Sequence, residues 1–252
     1  MAFQHTIEDG VATLTLASPP LNILTRAALA ELRAALDALA REPGLRVVRL
    51  VAAGNHFSAG ADVGEHLAPQ YRELIPEFAS TIEALAAFPL PVIAAVRGRC
   101  LGGGFELAQA ADVIVAGEGA SFGQPEILLG VTAPAACVLL PRLGSRGAAA
   151  ELLFTGDPIP AKRALELGFV QRVVEDARVE DEALALAKRM SRHSAVALEF
   201  TKRTLNETAP LARGAALGVA ASMYVNELMN AADPNEGLRA FLDKRPAEWR
   251  HA

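Results

Sequence analysis

The residues Gly98-Arg-Cys-Leu-Gly-Gly-Gly-Phe-Glu-Leu107 set the architecture of this chain, and four of the first seven are glycines. They follow an apolar run, Pro91 to Val96, that is typical of a buried strand, and a helix is predicted from about Phe105 to Ala111. Glycines at such a junction permit unusual φ values and let a ligand approach the backbone. Unpaired N–H groups at a helix N-terminus can bind an anion or a developing oxyanion. Glu106 therefore either takes part in chemistry or only offsets the helix dipole.

Two more loops of small or restricted residues flank this stretch. Phe57-Ser-Ala-Gly-Ala-Asp62 follows a predicted strand, Arg46 to Ala52, and again indicates close approach of a ligand to the backbone. In Phe122-Gly-Gln-Pro-Glu126 the proline restricts the backbone and could fix the direction of Glu126. Each loop also has an ordinary structural interpretation. The first would be a turn capped by Asp62, and the second a Pro-Glu pair that starts a helix.

The pattern around these loops is mixed strand and helix to about Val174, and helix only after about Val179. Because a helical tail must bury its apolar side chains, it packs either on its own core or on a neighbouring subunit. The other predicted elements are a strand at Gly10–Ala17, a helix capped by Thr25, a helix at Glu77–Ala87, a strand at Asp112–Ala116, a loop at Gly117–Pro134, helices at Ser145–Phe154 and Ala161–Leu167, and a strand at Val170–Val174.

Composition excludes several classes of protein. Of the 252 residues, 52% are hydrophobic and 21% charged, which excludes a disordered chain. The net charge of 24 − 29 = −5, with no basic run, predicts no nucleic-acid partner and no anionic membrane partner. No apolar stretch reaches about 18 residues, and we expect no signal peptide. Cys100 and Cys137, the two cysteines, do not form a disulfide framework. We therefore predict a soluble cytoplasmic protein.

One motif indicates a different chemistry. Gly119-Ala-Ser-Phe-Gly123 matches the G-x-S-x-G of serine hydrolases, with Ser121 as the nucleophile. That motif needs a strand before the serine and a helix after it, whereas here glycines precede it and a proline follows closely. The candidate partners, in the right chain order, are Asp157 or Asp176 with His193 or His251.

Other ligand motifs are weak or missing in the sequence. The five histidines are scattered without a His-Glu-x-x-His pattern, so no metal site is predicted. His66 could line a pocket or lie at the surface. Lys244 and Arg245 could hold a phosphate or form a solvated helix end. The glycine-rich stretch also lacks the last glycine of a dinucleotide-binding fingerprint.

Taken together, the loops resemble the enoyl-CoA hydratase/isomerase (crotonase) superfamily over nearly the whole chain. The resemblance implies an α/β fold in which residues 1–195 form a spiral of repeated β-β-α units that carries the CoA-thioester site. Residues 196–252 would form a helical region that builds a homotrimer, often paired into a homohexamer. The matching stretches are Phe57–Asp62, Gly98–Leu107, Ala120-Ser-Phe-Gly-Gln-Pro-Glu-Ile-Leu-Leu-Gly130, Phe154-Thr-Gly-Asp157 and Phe241-Leu-Asp-Lys-Arg245.

The resemblance also implies an acyl-CoA thioester substrate, with coenzyme A present only as part of that substrate and no metal or redox cofactor. It assigns an oxyanion hole to the N–H groups of Ala61 and Gly103. Two fixed donors stabilise an enolate more than the ground state, by roughly 3–4 kcal/mol each. It further implies the following coenzyme A contacts: Ser58, Ala59, Asp62, Phe241 and Lys244.

Glu106 and Glu126 match the two glutamates of the hydratase members. Hydration needs a base that takes a proton from water and an acid that gives one to carbon. We assign water activation to Glu106 and proton exchange with carbon to Glu126, with coupled titrations. Hydratase chemistry is favoured because many members with other reactions lack one of these glutamates.

Two short stretches refine the resemblance. Gly130-Val-Thr-Ala-Pro-Ala-Ala-Cys-Val-Leu-Leu-Pro-Arg-Leu143 departs from the usual glycine-rich run, with Pro134 near the place of a glycine beside the catalytic water. Together with Pro19-Pro-Leu-Asn-Ile-Leu24, this stretch resembles cyclohexa-1,5-diene-1-carbonyl-CoA hydratases. A linear 2-enoyl-CoA hydratase, a double-bond isomerase and a non-catalytic CoA-binding member remain as alternatives.

Overall fold

The computed structural model describes residues 1–251, which contain nine strands and ten α-helices. The strands are β1 (Phe3–Glu8), β2 (Val11–Leu16), β3 (Val47–Ala52), β4 (Val92–Val96), β5 (Arg99–Leu101), β6 (Val113–Gly117), β7 (Ser121–Gly123), β8 (Ile159–Pro160) and β9 (Arg172–Val174). The helices are α1 (Arg26–Leu39), α2 (Tyr71–Ala86), α3 (Gly103–Gln109), α4 (Pro134–Leu143), α5 (Arg146–Thr155), α6 (Ala161–Glu166), α7 (Val179–Met190), α8 (Ala195–Thr208), α9 (Arg213–Asn226) and α10 (Ala232–Leu242).

The larger sheet has six strands in the order β1-β2-β3-β4-β6-β9. β1 and β2 form an antiparallel pair, and all other pairs in this sheet are parallel. Every residue of β3 and β4 is buried, as expected for parallel strands covered on both faces. One face packs on the main core and the other lies under α7.

The smaller sheet has the order β5-β7-β8 and makes the chain a spiral. After β4 the chain enters β5 and then α3, and after β6 it enters β7 and then a 3₁₀ helix, Pro125–Leu129. Between β3 and α2, Ser58 forms a parallel bridge with Cys100 of β5, so this segment occupies the position of the second strand in a third such unit. Repeated β-β-α units are therefore present, as predicted. In the register of β5 and β7, Leu101 lies opposite Gly123, and the Gly102 N–H donates to the Gly123 carbonyl (2.9 Å).

The local signals that predicted helix α1 are confirmed in the structure. Thr25 caps the helix, and its Oγ1 accepts a hydrogen bond from the Ala28 N–H (3.2 Å). The leucines that the 3.6-residue period places on one face are buried. Those leucines are Leu29, Leu32, Leu36 and Leu39.

Several elements differ from the prediction. α2 begins at Tyr71 rather than Glu77, and Pro76 lies inside it. The predicted loop Gly117–Pro134 contains β7 and a 3₁₀ helix, and Pro134 is the first residue of α4, which was not predicted. Proline suits that position because its missing N–H has no intrahelical partner there. β1 was also missed, because among its residues only Phe3 is buried and no alternation shows.

The C-terminal helices begin near the predicted boundary at residue 195, but they are tied to the core. Lys202 of α8 is 5% exposed, and its Nζ donates to Asp112 Oδ2 (2.8 Å). Within residues 1–251, no helix is both long and apolar enough to cross a membrane. Several large apolar side chains of the last helices nevertheless remain exposed, among them Leu205, Leu217, Tyr224, Val225, Leu238, Phe241 and Leu242.

Candidate active site

Two backbone N–H groups from different turns of the spiral lie side by side. A Cβ on Gly103 would lie 3.2 Å from the Ala61 nitrogen, and one on Gly60 would lie 3.7 Å from the Gly103 nitrogen. Two hydrogen bonds to Leu24 hold the segment around Ala61. The Leu24 N–H donates to the Gly60 carbonyl (3.0 Å), and the Asp62 N–H donates to the Leu24 carbonyl (3.1 Å). Among the described residues, neither the Ala61 N–H nor the Gly103 N–H has an acceptor. The pair is available to a ligand oxygen.

Glu106 lies in the first turn of α3 and is 4% exposed. Its Oε1 accepts a hydrogen bond from the Ala136 N–H (2.8 Å), which belongs to the first turn of α4. Burial raises the pKa of Glu106 to about 7, although the N–H groups of Ala136 and Ala135 lower it and the charge of Glu126 raises it further. Both protonation states are therefore populated near neutral pH, as a group that exchanges protons requires.

Glu126 is half-buried in the 3₁₀ helix that Pro125 begins. Its carboxyl group lies against Gly102, where a Cβ would be 2.5 Å from Glu126 Oε1. Its Oε2 is buried and has no hydrogen-bond partner in the part of the chain that the structure describes. Burial raises the pKa of Glu126, while its own backbone N–H and the charge of His66 lower it. The free oxygen is thus available to a ligand or a water molecule.

One cavity of about 770 Å³ contains all four predicted reactive groups: Ala61, Gly103, Glu106 and Glu126. This volume is within the range of small-molecule sites. The rest of the wall is largely apolar and includes Leu74, Phe78 and Ile82 of α2 and Leu139 of α4. The structure therefore brings two carboxyl groups and two free N–H groups to a single apolar pocket.

The predicted coenzyme A contacts are not all in this cavity. Ala59 lines it, but Ser58 is fully buried, and its Oγ donates to the Asn22 carbonyl (2.8 Å) and accepts from the Gly60 N–H (3.1 Å). The Ser58 side chain therefore shapes the loop and has no free face for a ligand, which corrects the prediction. The Asp62 carboxylate accepts from the Glu65 N–H (3.1 Å) and borders a separate, shallower hollow.

Phe241 and Lys244 are also remote from the cavity of their own chain. Phe241 is 82% exposed at the end of α10, and Lys244 follows it with a φ of 54°. Neither residue lines the pocket that holds Glu106. A contact of either residue with coenzyme A would therefore lie outside the cavity of its own chain.

The cavity wall includes His66, which the sequence predicted either to line a pocket or to lie at the surface, and two residues that it did not predict. His66 lines the cavity near Glu126, and its Nδ1 donates to the Asp62 carbonyl (2.8 Å). Asn206 and Ala209, at the end of α8, also line the cavity, so it extends beyond the predicted boundary at residue 195. No local pattern marks these two residues, because only the docking of α8 places them there.

The structure does not place Ser121 in the arrangement that a serine hydrolase needs. Ser121 is the first residue of β7, and two more strand residues and a 3₁₀ helix follow it rather than an α-helix. The His251 ring instead contacts Arg46 Nη1 (3.1 Å) and accepts from the Ala195 N–H (3.1 Å). In the described residues, Ser121 has no hydrogen bond to a histidine, and no cluster of His, Cys, Asp or Glu has a metal-binding arrangement.

Comparison with known proteins agrees with this geometry. A sequence model described as "Enoyl-CoA hydratase/isomerase" matches residues 6–252. The chain belongs to this family. A cyclohexa-1,5-dienecarbonyl-CoA hydratase from Thauera aromatica is 39% identical over 249 residues, which cover 97% of this chain and 94% of the relative. A 2,3-dehydroadipyl-CoA hydratase from Escherichia coli strain K12 is 35% identical over 249 residues and 96% of each chain.

A solved structure has the same fold over its full length. The crystal structure of an enoyl-CoA hydratase from Bacillus anthracis matches with a TM-score of 0.95 at 32% identity and covers 100% of both chains. The predicted crotonase-type α/β spiral is thereby confirmed. The chain is an enzyme of the enoyl-CoA hydratase type, a hydro-lyase.

Proposed function

We propose that this enzyme adds water to an α,β-unsaturated acyl-CoA and that cyclohexa-1,5-diene-1-carbonyl-CoA is its preferred substrate. One observation carries the proposal of hydration. Glu106 and Glu126 line the same cavity as the free N–H groups of Ala61 and Gly103. The choice of the cyclic substrate is supported by the 39% identity with the Thauera aromatica hydratase and by the apolar wall.

In the proposed reaction, the thioester oxygen accepts hydrogen bonds from the two free N–H groups. The Glu106 carboxylate takes a proton from water, and the water oxygen bonds to the β-carbon of the thioester, at the double bond next to the thioester carbonyl. The electron pair moves toward the thioester oxygen, where the N–H groups stabilise the resulting dienolate. Protonated Glu126 then gives its proton to carbon. Proton exchange between the two glutamates restores the starting state.

Assays with two substrates test the preference. We expect hydration of cyclohexa-1,5-diene-1-carbonyl-CoA with a kcat/KM at least about tenfold above that for crotonyl-CoA, because a ring fills the apolar pocket better. The measurement is the product mass, which rises by one water molecule on hydration. An unchanged mass with a moved double bond would indicate an isomerase. Binding without turnover would indicate a non-catalytic member, and a preference for crotonyl-CoA would favour the linear alternative.

We further propose a homotrimer, alone or paired into a hexamer. The exposed apolar side chains of α9 and α10 support this, because such a surface usually marks an interface. We expect light scattering to give three or six times the mass of one chain. Leu217→Glu should shift the enzyme toward monomer, whereas Glu118→Gln, an exposed change outside the C-terminal helices, should not. A monomeric wild-type enzyme would contradict the proposal.

The cysteines support the cytoplasm as the proposed compartment. Both thiols are free, with Cys100 buried in the core and Cys137 exposed on α4. Burial raises the pKa of Cys100 well above its ordinary value, so this side chain behaves as a small apolar group. An exposed free thiol is stable in a reducing environment.

A further inference from the structure

We propose that α8 forms the far wall of the acyl cavity and that Asn206 and Ala209 limit the length of the acyl group that the enzyme accepts. The inference rests on the proposed acyl-CoA substrate. It assigns a role in specificity to a helix of the C-terminal region, which the resemblance connects only with subunit assembly.

An ion pair between the buried Lys202 and the more exposed Asp112 holds α8 in place. Lys202 Nζ donates to Asp112 Oδ2 (2.8 Å) and to the Leu90 carbonyl (3.2 Å). The same carboxylate oxygen accepts from the Val92 N–H (2.7 Å) at the start of β4. A lysine that is 5% exposed is stable as a cation only if it is paired, so this cluster strongly favours one docking position for the helix.

Asn206 lies one turn after Lys202 and anchors the helix to α2. Its Nδ2 donates to the carbonyl of Ala86 (3.2 Å), the last residue of α2. Ala209 follows three residues later, and both residues line the cavity. Because Ala209 has only a methyl group, this part of the wall has room that a larger side chain would fill.

Helix α3 spans the distance between the Gly103 N–H and the part of the cavity next to α8. Gly103, with its free N–H, is the first residue of this helix, and Ala110, Ala111 and Asp112 follow its last residue. At 1.5 Å per residue, seven helical residues span about 10 Å. A crotonyl group bound at the Gly103 N–H therefore ends before the wall, whereas a medium-length linear chain reaches it.

Ala209→Phe tests the inference, because Ala209 is exposed outside the core and the change should not prevent folding. We expect wild-type enzyme to hydrate 2-decenoyl-CoA and crotonyl-CoA. The variant should lose about tenfold or more in kcat/KM for 2-decenoyl-CoA, through KM, and keep its value for crotonyl-CoA. Leu205→Phe is the matched control, since Leu205 is exposed on the same helix but does not line the cavity.

Binding provides a second measurement that does not depend on turnover. Measured by calorimetry, the affinity of Ala209→Phe for decanoyl-CoA should be about tenfold lower than that of the wild type, and its affinity for butyryl-CoA should be unchanged. Equal effects on both ligands, no effect on either, or rejection of 2-decenoyl-CoA by a wild-type enzyme that hydrates crotonyl-CoA would overturn the role of α8. Absence of hydration with every acyl-CoA would instead contradict the proposed function, and the binding comparison would still decide the role of α8.

Discussion

Glu106→Gln is expected to lower kcat for hydration by about two to four orders of magnitude, the usual contribution of a positioned acid or base. The amide is close in size to the carboxyl group and can still accept from the Ala136 N–H, so the geometry of α3 and α4 should persist. It cannot take a proton from water. Single-turnover kinetics with the preferred acyl-CoA, together with a binding constant for a saturated analogue, would measure the chemical step apart from binding.

Glu83→Gln is the matched control. Glu83 is a carboxylate of α2 that lines the same cavity but is exposed. Its replacement should leave kcat within about twofold, because an exposed carboxylate has an ordinary solvated environment and no part in the proposed proton transfers. Near-wild-type turnover by Glu106→Gln would refute the role of Glu106 as the base.

Glu106→Gln should also change how the free energy of unfolding depends on pH. The pKa of Glu106 is 4.5 in its ordinary state and about 7 in the folded protein, so between these values the folded state holds a proton that the unfolded state has released. This contribution is fully present below pH 4.5 and is lost as pH rises through about 7. Glu106→Gln has no titrating group at this position, so its stability does not fall in this way as the pH rises. When the pH is raised from 4 to 8, the free energy of unfolding of the variant, measured with urea, should therefore increase relative to that of the wild type by up to about 3 kcal/mol.

Gly102→Ala is the second variant with a large expected effect. Gly102 has a φ of 53°, and a Cβ there would lie 2.5 Å from Glu126 Oε1, so the carboxyl group must move. Because proton transfer to carbon needs contact distance, we expect kcat to fall about a hundredfold. The measurement is kcat with the preferred substrate, together with circular dichroism to show that the fold is retained.

Gly44→Ala is a control that has backbone strain but does not displace the Glu126 carboxyl group. Gly44 has a φ of 77°, and a Cβ there meets no atom within 4 Å. Both variants place an alanine at a positive φ, which costs about 1–3 kcal/mol, and the ψ of −131° at Gly102 makes that site the more strained of the two. Gly44→Ala should therefore lose some stability from backbone strain alone and keep its kcat. Equal kcat values for the two variants would show that the position of Glu126 does not limit the reaction.

The reactive groups could be predicted from the sequence because they depend on local chain features. The glycines at 102 and 103 and the Pro125-Glu126 pair mark backbone turns next to strands, and the structure places them in one cavity. The resemblance supplied the spiral that brings them together. Their roles in the reaction stay predictions, to be tested by the variants above.

Other features depend on tertiary packing that no local pattern shows. Ser58 was assigned to coenzyme A, yet its hydroxyl is used inside the loop, and only the path of Asn22 through the fold explains this. Pro134 looked like a loop residue, but it begins α4, whose first turn donates to Glu106. Lys202 is a polar residue in an amphipathic helix, and nothing in the sequence marks it as buried.

The pairing of β5 with β7 has a consequence for how such an enzyme can diverge. Leu101 opposite Gly123, with the bond from Gly102 to the Gly123 carbonyl, relates the two reactive loops through main-chain atoms alone. A residue inserted or deleted within either short strand would change the spacing of acid and base and abolish turnover. Point replacements around the pocket leave that spacing intact, so new substrates can be acquired one side chain at a time while the chemistry is inherited unchanged.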